Sequence, residues 1–203
     1  MPLVLVPPQR LARWVANFED RHGPASLSVS DGGLRGAAPD GSRFVARLPF
    51  EVSYDDAPDV DSFLARVVPP GSWGVLLVRK GGFAVARLEE ERLAEHKIGR
   101  RHVQGRTKAG GQSQQRFARR RDNQARQAYE AAADHAARIL QPGPVVAGGD
   151  RGAVEEVLAD PRLRGVVVVG PWLAVPDPRR SVLDAAILDA QALQVEVDNA
   201  EVR

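Results

Sequence analysis

The 203-residue sequence has no cysteine. That excludes disulfides, thiolate zinc sites and cysteine nucleophiles, and it fits a cytosolic protein. No stretch of eighteen apolar residues occurs, so no membrane span is expected. The opening "MPLVLVPPQRLARW" is apolar only briefly before prolines break it. It has neither a basic leader nor a small-residue cleavage site, so no secretory signal is expected. Lysine is scarce. Only Lys80, Lys97 and Lys108 occur among 28 basic residues, and the rest are arginine, the side chain whose planar fork suits phosphate. The four histidines (His22, His96, His102, His135) show no metal-ligand spacing with a second histidine and a carboxylate, so neither a metal nor another cofactor is expected. No serine sits in a nucleophile elbow. "GGDRG" at 148–152 lacks the Lys-Ser/Thr ending of a phosphate loop and reads as a strand-to-helix turn.

The most informative scarcity is local. Between His96 and Arg126 there are ten lysines or arginines and one acid, Asp122. The segment carries +9 in a chain of net charge +2, so the remainder carries about −7. A cationic patch on an otherwise acidic protein points to a polyanion at one place, and nucleic acid is the partner it suits.

With 43% hydrophobic residues, the chain can build a core. The pattern predicts a first helix in "PPQRLARWVANFEDRHG", then a small β-meander with turns at Asp31-Gly32-Gly33 and Pro39-Asp40-Gly41. A short helix follows in "DAPDVDSFLARVVPPG". "SWGVLLVRKGGFAVARLEEERL" predicts a hairpin turning at Lys80-Gly81-Gly82, and "EHKIGRRHVQ" a further strand. A helix from about Gln114 to Leu140, capped by Ser113, carries Ala128, Ala132, Ala136 and Leu140 on one stripe. Strand and helix then alternate: "PVVAGGD", "RGAVEEVLADPRL", a fully buried "GVVVVG", and a long amphipathic helix over "RRSVLDAAILDAQALQVEV". The fold class expected is α/β, a layered mixed sheet with helices on both faces. It is preceded by the N-terminal helix and meander (1–71), with the main domain spanning 72–203 and a basic loop at 96–121.

Within that loop lies "GRTKAGGQSQQRFARRR", residues 105–121. Gly110 and Gly111 permit backbone conformations closed to other residues and a close approach to another backbone. They can place Gln112 in a narrow polar cavity, where a neutral amide orients a water and an oxyanion without itself becoming charged. Backbone N–H groups at a helix start stabilise developing negative charge. Arg100, Arg101, Arg106, Lys108, Arg116, Arg119, Arg120 and Arg121 are placed to neutralise phosphates around it. The chemistry such a loop supports is water attack on an ester embedded in RNA. The alternative is a glycine-rich loop whose arginines only grip RNA.

The run "GGQSQQRFARRRDNQ" resembles the catalytic middle domain of archaeal and eukaryotic class 1 peptide-release factors, in which GGQ, a serine and an Arg-Phe-Ala-Arg run follow one another. Here these are Gly110, Gly111, Gln112, Ser113 and Arg116-Phe117-Ala118-Arg119. The resemblance continues through "PVVAGGDRGAVEEVL" and "LRGVVVVG" and covers roughly 72–197. Residues 1–71 show no recognisable codon-reading motif, and neither the codon-reading nor the partner-binding domain of a full release factor is expected. The chain is therefore most similar to an actinobacterial single-domain branch related to the Vms-type peptidyl-tRNA hydrolases of ribosome quality control. In that branch the glutamine can be displaced into a Gly-Gly-x-Ser-Gln register, which makes Gln114 and Gln115 alternatives to Gln112. An upstream arginine also matters there, a role open to Arg101 or Arg106. The resemblance implies a codon-independent peptidyl-tRNA hydrolase whose partners are the large ribosomal subunit, its rRNA and peptidyl-tRNA; of oligomeric states a monomer is favoured, with the state left open. A non-catalytic ribosome-associated RNA-binding factor is the alternative.

Overall fold

A computed structural model describes residues 2–100 and 113–200, except the side chains of Arg100 and of 113–125. The backbone forms two compact units, Met1–Pro69 with Leu188–Arg203, and Pro70–Ile187.

In the first unit, β1 (Leu3–Val6) leads to α1 (Leu11–His22). Leu11, Val15 and Phe18 recur at helical spacing and are buried, and Gly23, with φ 89°, ends the helix. β2 (Ser26–Ser30), β3 (Gly33–Ala37) and β4 (Arg43–Arg47) form the expected antiparallel meander. Its first turn, Asp31-Gly32, has positive φ at both residues, as a two-residue hairpin turn requires. Opposite Gly36 on β3 lies Phe44 of β4, whose ring fills the space a side chain at Gly36 would take. Trp14 and Phe18 of α1 pack edge-on against that ring, each with centroids 5.1 Å away. α2 (Val60–Ala65) is capped by Asp59, which accepts from the Ser62 amide at 2.8 Å.

The second unit is built on the hairpin of β5 (Trp73–Arg79) and β6 (Gly82–Glu89), extended by β7 (Arg92–Arg100). α3 (Ser113–Ile139) follows, with Ser113, expected as its cap, as its first residue. β8 (Gly143–Gly149) runs parallel to β5, α4 (Arg151–Leu158) crosses over, and β9 (Val166–Val168) runs parallel to β8. The resulting mixed sheet has the order β7-β6-β5-β8-β9.

One face of this sheet presents Leu76, Val78, Phe83 and Val85 to Ala132, Ala136 and Ile139 of α3 and to Val154 and Val157 of α4. On the opposite face Val75, Leu77, Ala84, Ala86 and Val146 are buried as well. α5 (Arg180–Ala190) begins on that side. Its Arg180 Nη1 lies 3.4 Å from Nε2 of His96, whose strand partner is Ala86. The fold is thus α/β with helices on both faces of a mixed sheet. Arg162 ties the α4–β9 connection to α3. It pairs with Asp134 at 2.7 Å and with Asp160 at 2.6 Å, and it holds the Asp160 carboxyl down to about 2 by its side-chain and backbone hydrogen bonds.

Two expectations need correction. The "GVVVVG" strand is not fully buried. β9 is the edge strand, and Val167 and Val168 are 57% and 41% exposed. Nor does one helix run through "RRSVLDAAILDAQALQVEV". α5 ends at Ala190, and Leu193–Asp198 form a strand, β10. β10 joins the first unit's sheet between β1 and β4, completing the order β1-β10-β4-β3-β2. Leu193 and Val195 enter that unit's core, which explains the change from helical to alternating periodicity.

Gly148 tests how closely the β8 backbone is approached. A Cβ there would stand 2.5 Å from the Leu173 carbonyl oxygen, whereas one at Gly152 in α4 would meet nothing within 4 Å. Gly148→Ala is expected to destabilise the second unit by roughly 1–3 kcal/mol through overpacking against backbone. Gly152→Ala is expected to leave it unchanged or stabilise it by up to about 1 kcal/mol. Urea unfolding of the two variants checks the opposite signs.

Candidate nucleic-acid interface

The basic segment is held by two stems, β7 before it and α3 after it. β7 ends at Arg100, opposite Gly82, immediately beyond the two-residue turn Lys80-Gly81. The segment therefore leaves the sheet at the end where the β5–β6 hairpin turns. Arg101, Arg106, Lys108, Gly110, Gly111 and Gln112 lie outside the described residues. Gln114 and Gln115 fall in the first turn of α3, with Arg116, Arg119, Arg120 and Arg121 following in the same helix.

α3 has 27 residues, a length of about 40 Å at 1.5 Å per residue. Its described buried positions, Ala128, Ala132, Ala133, Ala136 and Ile139, belong to its C-terminal half. Ser113 lies about 22 Å along the helix axis from Ala128. The stripe of alanines lets the helix backbone come close to β6, the strand it meets most extensively. The described C-terminal half is thus fixed on the sheet, and Arg116, Arg119, Arg120 and Arg121 precede it in the same helix.

Between the stems, Arg138 of α3 donates to Glu95 of β7 at 2.5 Å. His135 of α3 stacks on Phe83 of β6, with ring centroids 5.6 Å apart at 29°. Burial lowers the His135 pKa, as do the nearby cations Lys97 and Arg138, while Asp134 acts in the opposite sense. Facing strand residues are set by a β-bulge between Arg87 and Leu88, where β7 carries one extra residue. The bulge places Glu95, Lys97 and Gly99 on the α3 side of the sheet, opposite Arg87, Val85 and Phe83.

A shallow cleft opens at the same end of the sheet, between Arg79, Lys80, Tyr129 of α3 and Asp150, Gly152 and Glu156 at the start of α4. Its charges are mixed. Arg79 Nε lies 3.7 Å from Asp150 and 3.9 Å from Asp177, and Arg79 Nη1 donates to the Val175 carbonyl at 2.7 Å. Arg151 lies over the Trp172 ring, 4.5 Å from its centroid. Arg79 and Arg151 are thus engaged by acids and by an aromatic ring. The excess positive charge belongs to the segment between the stems and to the first half of α3.

Sequence reasoning treated His135 only as a metal candidate and gave Phe83 and Gly99 no role beyond their strands. Their meeting depends on the bulge, which has no glycine or proline to announce it.

The depressed His135 pKa has a definite sign. The neutral ring is favoured in the fold, so its contribution is complete above the ordinary value of 6.5 and is lost as pH falls from there through the lowered folded value. The urea midpoint of the wild type is expected to drop between pH 7.5 and pH 5, and to drop less in His135→Gln. Equal drops in both would assign the pH dependence to other groups.

The model of a family described as "acVLRF1: Actinobacteria/chloroflexi VLRF1 release factor" matches residues 71–196. No curated protein matches the chain. Among solved structures, the chain is similar to one described as "Vms1 mitochondrial localization core", with 12% identity and a TM-score of 0.39 over 91% of this chain and 82% of that one.

Proposed function

The chain belongs to the actinobacterial and chloroflexi VLRF1 release-factor family, and from that premise we propose that it is a codon-independent, ribosome-associated peptidyl-tRNA hydrolase acting in ribosome rescue. The observation that carries this reading is the placement of "GGQSQQRFARRR". It lies at the head of a 27-residue helix whose far half is buried on a sheet. In sequence, a short polar run thus leads directly into a helix whose C-terminal half is fixed on the sheet. The local +9 charge suits a site walled by RNA.

In this reading the loop enters the peptidyl-transferase centre of a large subunit that holds peptidyl-tRNA. Gln112 positions a water, whose oxygen attacks the carbonyl carbon of the ester joining peptide to tRNA. Loop N–H groups steady the oxyanion. The bond to the ribose oxygen then breaks, that oxygen takes the proton, and a peptide with a free carboxyl group leaves. Gly110 and Gly111 give the loop its close approach. Arg100, Arg101, Arg106, Lys108, Arg116, Arg119, Arg120 and Arg121 hold rRNA and tRNA phosphates. Gln114 and Gln115 are the alternatives to Gln112. Most of the catalytic site is RNA, so the free protein should be nearly inert toward simple esters.

The same arginines favour a second reading, a non-catalytic factor that binds rRNA or tRNA and uses the loop as a plug. Both readings entail salt-sensitive binding to the large subunit. Peptide release separates them. Large subunits loaded with peptidyl-tRNA are expected to release peptide when the protein is added. Gln112→Ala is expected to slow release by about a hundredfold or more while binding persists. Loss in Gln114→Ala or Gln115→Ala with full activity in Gln112→Ala would move the role to the shifted register. Full activity in all three would remove the glutamine mechanism.

A further inference from the structure

We propose that Phe83 and Gly99 are positioning residues, which together set the spacing between the two stems of the basic loop. The consequence for peptide release rests on the hydrolase reading above. The contact itself does not.

Phe83 and Gly99 are cross-strand partners on β6 and β7. A Cβ built on Gly99 would stand 2.6 Å from Cζ and 2.9 Å from Cδ1 of the Phe83 ring, and nearer still to Cε1, closer than atoms can pack. The ring is 6% exposed and belongs to the core beneath α3 and α4. The same ring stacks on His135 of α3. One rigid aromatic side chain thus touches both stems, β7 one residue before its last position and α3 along its anchored half. The other described tie between the stems, Glu95–Arg138, has side chains 34% and 59% exposed. Pairs that exposed contribute little to holding a geometry.

The bulge at Arg87/Leu88 is what makes this contact possible. With the pairing of Leu88 and Leu93 continued unbroken, Phe83 would face Ile98, and Gly99 would turn to the other side of the sheet. The extra residue instead brings β7's glycine over the ring, so that the strand backbone lies where a side chain would otherwise hold it away.

The length of α3 amplifies what happens at the ring. From His135 to Ser113 is about 33 Å of helix, so a tilt of roughly five degrees at the stack moves the helix start by about 3 Å. Catalysis by positioning loses up to about a hundredfold for a misplacement near 1 Å. A methyl group at Gly99 has to displace the ring, and with it either β7 or α3.

The test uses the absence of native cysteine. Spin labels at Ser113→Cys and Lys80→Cys in the full chain report the distance from the start of α3 to the hairpin turn, whatever the activity. In Gly99→Ala this distance distribution is expected to shift or broaden by about 3 Å. Peptide release from loaded large subunits by unlabelled Gly99→Ala is expected to fall about tenfold, with subunit affinity unchanged. Phe83→Leu added to Gly99→Ala makes room for the methyl group and is expected to restore both distance and rate. Phe83→Leu alone, which keeps an apolar core residue, is expected to broaden the distribution, and it serves if Gly99→Ala does not fold. Unchanged distances in both single variants overturn the inference, as does a shifted distance with an unchanged release rate. A wild type that releases no peptide overturns the hydrolase reading instead, and the distances still decide whether the stack sets the stems.

Discussion

The close seating of α3 on the β5–β6 hairpin is the constraint from which the rest of the second unit follows. Alanine at 128, 132 and 136 leaves no bulk between helix and sheet, so the larger residues of the interface come from the strands and from Ile139 and Leu140. A helix so seated cannot slide or roll without opening voids, and voids in a packed core are costly. The described buried positions of this 27-residue helix lie in its C-terminal half.

Charge is divided along the same line. On the described body several arginines pair with nearby acids: Arg79 with Asp150 and Asp177, Arg138 with Glu95, Arg162 with Asp134 and Asp160, Arg180 with Asp184. These exposed pairs contribute little to stability, and the chain outside 96–126 keeps a net charge of about −7. The net charge of +9 between His96 and Arg126 suits a polyanion. An acidic remainder also discourages RNA from settling elsewhere on the protein, so one arrangement supplies both attraction and direction.

Much of this was legible in residue order. The two-residue turn at Lys80-Gly81, the alanine stripe of α3 and the Gly148-Gly149 exit from β8 are local signals, and the structure places each where the pattern puts it. What was not legible depends on partners distant in sequence. Val166–Val168 reads as buried because valines suit any strand, yet only pairing order makes β9 an edge. The passage from Ala190 to Leu193 changes period without glycine or proline, so a helix pattern runs into a strand pattern unmarked. The basic loop was visible through composition and motif. The Phe83–Gly99–His135 contact behind it was not, because a single bulged residue decides which side of β7 faces the helix.

β10 completes a sheet whose other four strands precede the entire second unit. It enters between β1 and β4, not at an edge, so β1 has no strand partner until β10 arrives. During synthesis the second unit, continuous in sequence from Pro70 to Ile187, has all its strands available before the first unit does. The first unit must wait with Leu34, Phe44 and Ala46 lacking the cover of Leu193 and Val195. Its closure therefore reports that the second unit has been made: a ribosome that stops before Leu193 leaves the N-terminal sheet open, however well the second unit has formed.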